Sequence, residues 1–206
     1  GSYYSIADYT GINPEFGTHT DFSRLVKTAH RLKMTIILDW VANHTAWDHP
    51  WIAAHPAWYK KDEKGEIVAY NYDNGREIEY WTDVVGLDYR VPGVWDAQIA
   101  AMKYWVREYD IDGFRADVAS LMPIHFWQRA RAELDAIKPM FMLAESNDPA
   151  IHAAFNMTYD WALLDVFADI SDGKADAGAL RKWVEAGLAG FPADSYRMLF
   201  TSNHDV

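Results

Sequence analysis

Four times along this chain, apolar residues at helical spacing give way to a short apolar strand-like run, and few folds accommodate that order. Phe22, Leu25, Val26, Ala29 and Leu32 mark a helix from Thr20, with Thr20 or Asp21 placed to cap it, and TIILDWV follows at Thr35 to Val41. A helix through Ile99, Met102, Val106 and Tyr109 leads into GFRADVAS, and one through Phe126, Trp127, Ala130, Leu134 and Ile137 leads into MFMLAES, Met140 to Ser146. A last helix through Leu180, Trp183, Val184 and Leu188 precedes RMLFTSN, Arg197 to Asn203, and MTYDWALL, from Met157, is a weaker strand candidate. Unbroken apolar strands are those buried on both faces, and helical crossovers join parallel strands. The pattern predicts an α/β fold with a parallel sheet, and leaves barrel and open sheet as alternatives.

One segment interrupts the rhythm. From Ala46 to about Pro92 no period holds, and Trp47, Trp51, Trp58, Tyr59, Tyr70, Tyr72, Tyr80 and Trp81 stand among Asp, Asn, Gly and Lys. The chain divides accordingly into 1–45, an insertion at 46–92, and 93–206. The insertion follows a strand, so it sits at that strand's C-terminal end, where long loops are commonly functional. Its aromatics have two uses open to them, a small core of its own or exposed platforms for a flat apolar ligand face.

Composition removes several classes of function. The 206 residues are half hydrophobic and carry a formal charge of -11 with no basic block, which excludes a nucleic-acid partner. No apolar run approaches the roughly 20 residues of a membrane span. Cysteine is absent, so disulfides and thiolate metal sites are excluded while the compartment and oligomeric state stay open.

The informative residues are polar ones at the ends of apolar runs. In DGFRADVAS, Arg115 and Asp117 are two apart and share a strand face, opposite Phe114, Ala116 and Val118. A buried ion pair stabilises little, because desolvation offsets its attraction, so use explains it better than stability. Asp39, Asn43 and His44 end the first run, Glu145 another, and Asn203, His204 and Asp205 the last. Histidines here lack the i, i+4 spacing of a helical metal pair, which argues against a catalytic metal.

DWVANH at Asp39 to His44, GFRADVA at Gly113 to Ala119, the glutamate of LAES, FTSNHD at Phe200 to Asp205 and YSIADY at Tyr4 to Tyr9 occur in the order of the α-amylase family, glycoside hydrolase family 13, which the sequence resembles. The resemblance implies a (β/α)8 TIM barrel, here incomplete from about the end of strand 2 to strand 7, with the aromatic insertion after strand 3. It implies an α-retaining glycoside hydrolase that cleaves α-glucosidic bonds, α-1,4 in a maltodextrin or oligosaccharide, by double displacement. An α-glucan transglycosylase or sugar isomerase of the same family and a non-catalytic carbohydrate-binding relative are the alternatives. By position, Asp117 resembles the nucleophile, Glu145 the general acid and base, and Asp205 the carboxylate that grips the sugar hydroxyls. Arg115 resembles the cation that keeps the nucleophile charged. His44 and His204 resemble histidines that bond the reacting sugar, and Tyr4 the aromatic under it. The chemistry requires no cofactor. Asn43 matches a position that in many members helps to bind a structural calcium.

Retaining cleavage needs one ionised and one protonated carboxyl. Asp117 beside Arg115 is expected ionised, and Glu145, with no neighbouring cation in sequence, is expected to hold the proton. Two departures from the family pattern stand out. Val118 to Pro123 replace the lysine-histidine pair that many amylases carry on the leaving-group side. The motifs also start after the second barrel strand and stop at the seventh, so the chain is expected to be a fragment of a larger enzyme, inactive alone.

Overall fold

A computed structural model describes residues 2–187 and 189–204. Five short strands form one parallel sheet in the order β1-β5-β6-β7-β8: β1 (Ile37–Trp40), β5 (Gly113–Ala116), β6 (Phe141–Ala144), β7 (Met157–Tyr159) and β8 (Tyr196–Met198). The helices are α1 (His19–Arg31), α2 (Pro50–Ala54), α3 (Pro92–Tyr109), α4 (Ile124–Asp135), α5 (Trp161–Ser171) and α6 (Gly178–Ala186). Between β1 and α3 the chain builds a second, antiparallel sheet in the order β2-β4-β3, from β2 (His44–Ala46), β3 (Ala69–Asp73) and β4 (Ile78–Gly86).

Most elements follow the periodicity, and the differences are local. The cap of α1 is Thr18, whose hydroxyl and backbone close a reciprocal capping box with Asp21. MTYDWALL is a strand for only three residues: Asp160 then caps α5 by accepting from the Leu163 N–H at 3.0 Å, and the rest is helical. GFRADVAS is extended only as far as Ala116. Val118 takes φ +38°, a left-handed conformation that is strained for a β-branched residue, and turns the chain into a short 3-10 segment.

The outer face of the parallel sheet carries the main core. Trp40, Phe114, Ala116, Met142 and Ala144 pack with Ile99, Met102 and Trp105 of α3 and Phe126 and Trp127 of α4. The Trp127 indole donates to the Ala119 carbonyl at 2.9 Å, tying α4 to the turn after β5. A smaller cluster of Tyr59, Val85, Leu87 and Val94 seats the insertion against the start of α3. The insertion's aromatics divide by burial: Tyr59 and Tyr70 are buried, whereas Tyr80 and Trp47 are exposed.

Register is enforced at Gly113, where a Cβ would stand 1.8 Å from the Phe141 carbonyl oxygen of the neighbouring strand. Gly113→Ala is therefore expected to destabilise the fold by about 1–3 kcal/mol or more through forced separation of β5 and β6. Thermal denaturation monitored by near-ultraviolet circular dichroism checks this, and an unchanged melting temperature would mean that β5 and β6 separate without cost.

Candidate active site

Strand register assembles the polar residues. Asp39 is level with Arg115, Ala116 with Ala144, and Ala144 with Thr158. One position further, Asp117, Glu145 and Tyr159 share a level, on the side opposite the buried alanines. Hydrogen bonds carry the ladder onward: the Asp117 N–H donates to the Trp40 carbonyl at 3.0 Å, Glu145 N–H to Ala116 at 3.0 Å and Tyr159 N–H to Ser146 at 3.1 Å.

Arg115, 5% exposed and two positions before Asp117 on the same face, is the hub of this cluster. Its Nη1 donates to Asp117 Oδ1 at 2.7 Å and to Asp39 Oδ1 at 2.9 Å, and its Nε donates to the Tyr159 hydroxyl at 3.2 Å. Its Nη2 lies 3.1 Å from Glu145 Oε2, a charge contact whose angle does not make a hydrogen bond. Glu145 Oε2 instead accepts from the Val118 N–H at 2.7 Å. The left-handed turn at Val118 thus aims a backbone donor at the second carboxylate.

This arrangement corrects the expected division of charge. Arg115 does not belong to Asp117 alone but touches both carboxylates. Burial, and next the charge of Glu145, push the Asp117 carboxyl up to about 7, against the hydrogen bond and charge of Arg115 that pull it down. Two carboxyls this close release their protons in steps that belong to the pair. Loss of the charge on one favours ionisation of the other.

The remaining predicted residues meet around the same cleft, of about 470 Å³, lined by Tyr4, His44, Asp117, Glu145 and His204 and roofed by Tyr80 and Trp81 of β4. The Tyr4 hydroxyl donates to Asp39 Oδ2 at 2.8 Å and therefore accepts from His204 Nε2, also at 2.8 Å. Its ring is parallel to that of His204, with centroids 5.6 Å apart. His44 is 4% exposed, and burial pushes its imidazole down to about 4, so it is neutral at ordinary pH. Its Nδ1 faces the Asn43 amide nitrogen at 3.1 Å, the acceptor side of an Nε2–H tautomer. Asp205 lies outside the described residues.

The calcium implied for Asn43 asks for about six to eight oxygen donors. Asn43 is 2% exposed, and its amide nitrogen faces His44 Nδ1, so its side-chain oxygen is the atom that would face such an ion. Two participants escaped the sequence reading: the Val118 N–H, hidden in a backbone turn, and Tyr159, in a run too short to show strand alternation. The polar ending of that run was the available signal.

Carboxylates gathered on one arginine beyond the C-terminal ends of parallel strands define the class, an α/β barrel enzyme site. The family model "Alpha amylase, catalytic domain" matches residues 2–163, and the chain belongs to that family. It superposes on a maltogenic alpha-amylase from Thermotoga neapolitana with a TM-score of 0.90 and 36% identity, over 100% of this chain and 47% of the other. It is 31% identical to an intracellular maltogenic amylase of Bacillus subtilis over 81% of this chain and 31% of that protein. It is 32% identical to an alpha-1,4-glucan:maltose-1-phosphate maltosyltransferase of Rhodospirillum rubrum over 71% of this chain and 22% of that protein. The chain thus spans about a third or less of these curated relatives and about half of the solved one. Its open five-stranded sheet corresponds to part of their TIM barrel.

Burial of Asp117 has a consequence for stability. A carboxyl whose folded pKa lies above its unfolded value near 3.8 costs nothing where both states are protonated. The cost accrues as pH rises, because the unfolded chain ionises first, and is complete once pH passes the folded value of about 7. Asp117→Asn is expected to raise the melting temperature most at about pH 7.5 and least near pH 4, in a series of thermal melts against pH.

Proposed function

We propose that this protein is an α-retaining glycoside hydrolase that cleaves α-1,4-glucosidic bonds in maltodextrins or shorter oligosaccharides. The observation that carries the reading is the pairing of Asp117 with Glu145 on one guanidinium, at the floor of a cleft roofed by Tyr80 and Trp81. Asp117 Oδ1 lies 2.7 Å from Nη1 and Glu145 Oε2 3.1 Å from Nη2 of the same guanidinium, a close approach that suits a retaining pair better than an inverting one, which must leave room for a water. Names of the relatives, maltogenic amylases among them, supply the α-glucan substrate class.

In this mechanism Asp117 attacks the anomeric carbon while Glu145 gives its proton to the departing glycosidic oxygen. Glu145, now a base, takes a proton from water, whose oxygen displaces Asp117 and restores the starting configuration. Assignment of the two roles rests on the motif match, since Arg115 serves both carboxylates. The working state holds one proton on the pair: with it on Glu145, the second-largest influence raising the Asp117 pKa is gone and Asp117 ionises. Asp205, the residue after His204 in sequence, is by its motif the third carboxylate, which grips sugar hydroxyls. The neutral His44 and the Tyr4–His204 pair form the wall against which the reacting sugar is oriented. Apolar sugar faces suit Tyr80 and Trp81, and a neutral ligand suits a chain with a charge of -11.

Transfer to a sugar hydroxyl in place of water would use the same pair, and the maltosyltransferase relative keeps that outcome as the second reading. A purely binding role is the weaker one, because a buried arginine is spent here on organising two carboxylates.

Expected outcomes separate the roles. Glu145→Gln lowers kcat/KM on maltooligosaccharides by about 10²–10⁴-fold but far less on aryl α-glycosides whose leaving group needs no proton. Asp117→Asn abolishes turnover of both. Proton NMR of the first products reads α anomers; β anomers, or an active Asp117→Asn, would overturn the assignment.

A further inference from the structure

Tyr159 has no part in the chemistry just described, yet it touches both halves of the carboxylate pair's support. It is 5% exposed on β7, at the level of Asp117 and Glu145. Its hydroxyl accepts from Arg115 Nε at 3.2 Å, and the guanidinium carbon lies 5.6 Å from its ring centroid. Its N–H donates to the carbonyl of Ser146, the residue after Glu145, at 3.1 Å.

The ring itself is immobilised from two further sides. It stacks on Trp161 at 5.5 Å and meets the edge of Phe200 at 5.4 Å. Its carbonyl accepts from Arg197 Nη2 of β8 at 3.2 Å. A phenol so held presents its oxygen at a fixed point.

A guanidinium is planar, so a fixed Nε direction dictates where both Nη groups go. Nη1 then serves Asp39 and Asp117, and Nη2 faces Glu145. Without an acceptor at Nε, the plane can rotate about the end of the side chain, and Nη2, which has no hydrogen-bond acceptor among the described residues, does not hold it in place.

We propose that Tyr159 is a positioning residue: it fixes the rotation of the Arg115 guanidinium and so apportions that cation between the nucleophile and the acid-base carboxylate. The proposal rests on the retaining reading of Asp117 and Glu145. Tyr159 touches no reacting atom, and its effect passes through Arg115. Loosening the guanidinium weakens its hold on the Asp117 anion, so Asp117 keeps its proton to higher pH.

The test uses the full-length polypeptide and the variant Tyr159→Phe, which keeps the ring and its packing and removes only the acceptor. The pH profile of kcat/KM on an aryl α-maltoside is expected to move upward by about half a pH unit, with active sites titrated by a fluoroglycoside so that misfolded protein does not count. A merely structural Tyr159 would lower the amount of active protein and leave the profile where it was, and that result overturns the proposal. A double-mutant cycle with Arg115→Lys gives the second reading: loss of turnover on adding Tyr159→Phe to Arg115→Lys is expected to be much smaller than in the wild type, and additive losses overturn it. Asp117→Asn is the control that keeps the two readings apart. If it stays active, the retaining assignment fails; if it is dead while the Tyr159→Phe profile is unmoved, only the role of Tyr159 fails.

Discussion

A single buried guanidinium organises the cleft. Arg115 sits where the parallel sheet ends, with Asp39, Asp117 and Glu145 on its nitrogens and the Tyr159 hydroxyl on its Nε. Asp117 and Glu145, from neighbouring strands and both largely shielded from water, would repel one another strongly. The arginine makes their approach tolerable without neutralising it. What remains is a pair with one carboxyl pushed toward neutrality, a state that suits proton transfer and is costly for stability.

The fold delivers these groups by the simplest means a parallel sheet has. Adjacent strands in register bring equivalent positions to about 5 Å, so a polar residue at the same level on successive strands becomes a cluster. Gly113 sets that register by permitting a close approach to Phe141, and Trp127 anchors the turn that follows β5. The turn's strained Val118 completes the site with a backbone donor to Glu145. Strain of this kind persists only where the surroundings hold it, as α4 and β6 do here.

The antiparallel insertion supplies what the barrel strands lack, an aromatic surface over the carboxylates. Its own small core of Tyr59, Val85 and Leu87 leaves Tyr80 free to face the cleft. Residues near the start of the chain are tied to the same roof, since the Ser5 hydroxyl donates to the Asp83 carbonyl at 2.9 Å. Barrel floor and inserted roof therefore form one continuous site.

Periodicity alone made the α/β class legible, because a helix face and a doubly buried strand impose different spacings on apolar residues. The motifs around Asp39, Asp117, Glu145 and His204 named the family, since their order along the chain survives without coordinates. Helix α5 stayed hidden because its start, DWALL, reads as apolar as the strand before it, and only the Asp160 cap separates them. The allocation of Arg115 was beyond the sequence altogether: chain distance puts it next to Asp117, and only the pairing of β5 with β1 and β6, and of β6 with β7, brings Asp39, Glu145 and Tyr159 to it as well. Short-range patterns determine which residues are polar and where strands end. Which of them share a cation is decided by strand order and register, properties that exist only once distant segments hydrogen-bond to one another.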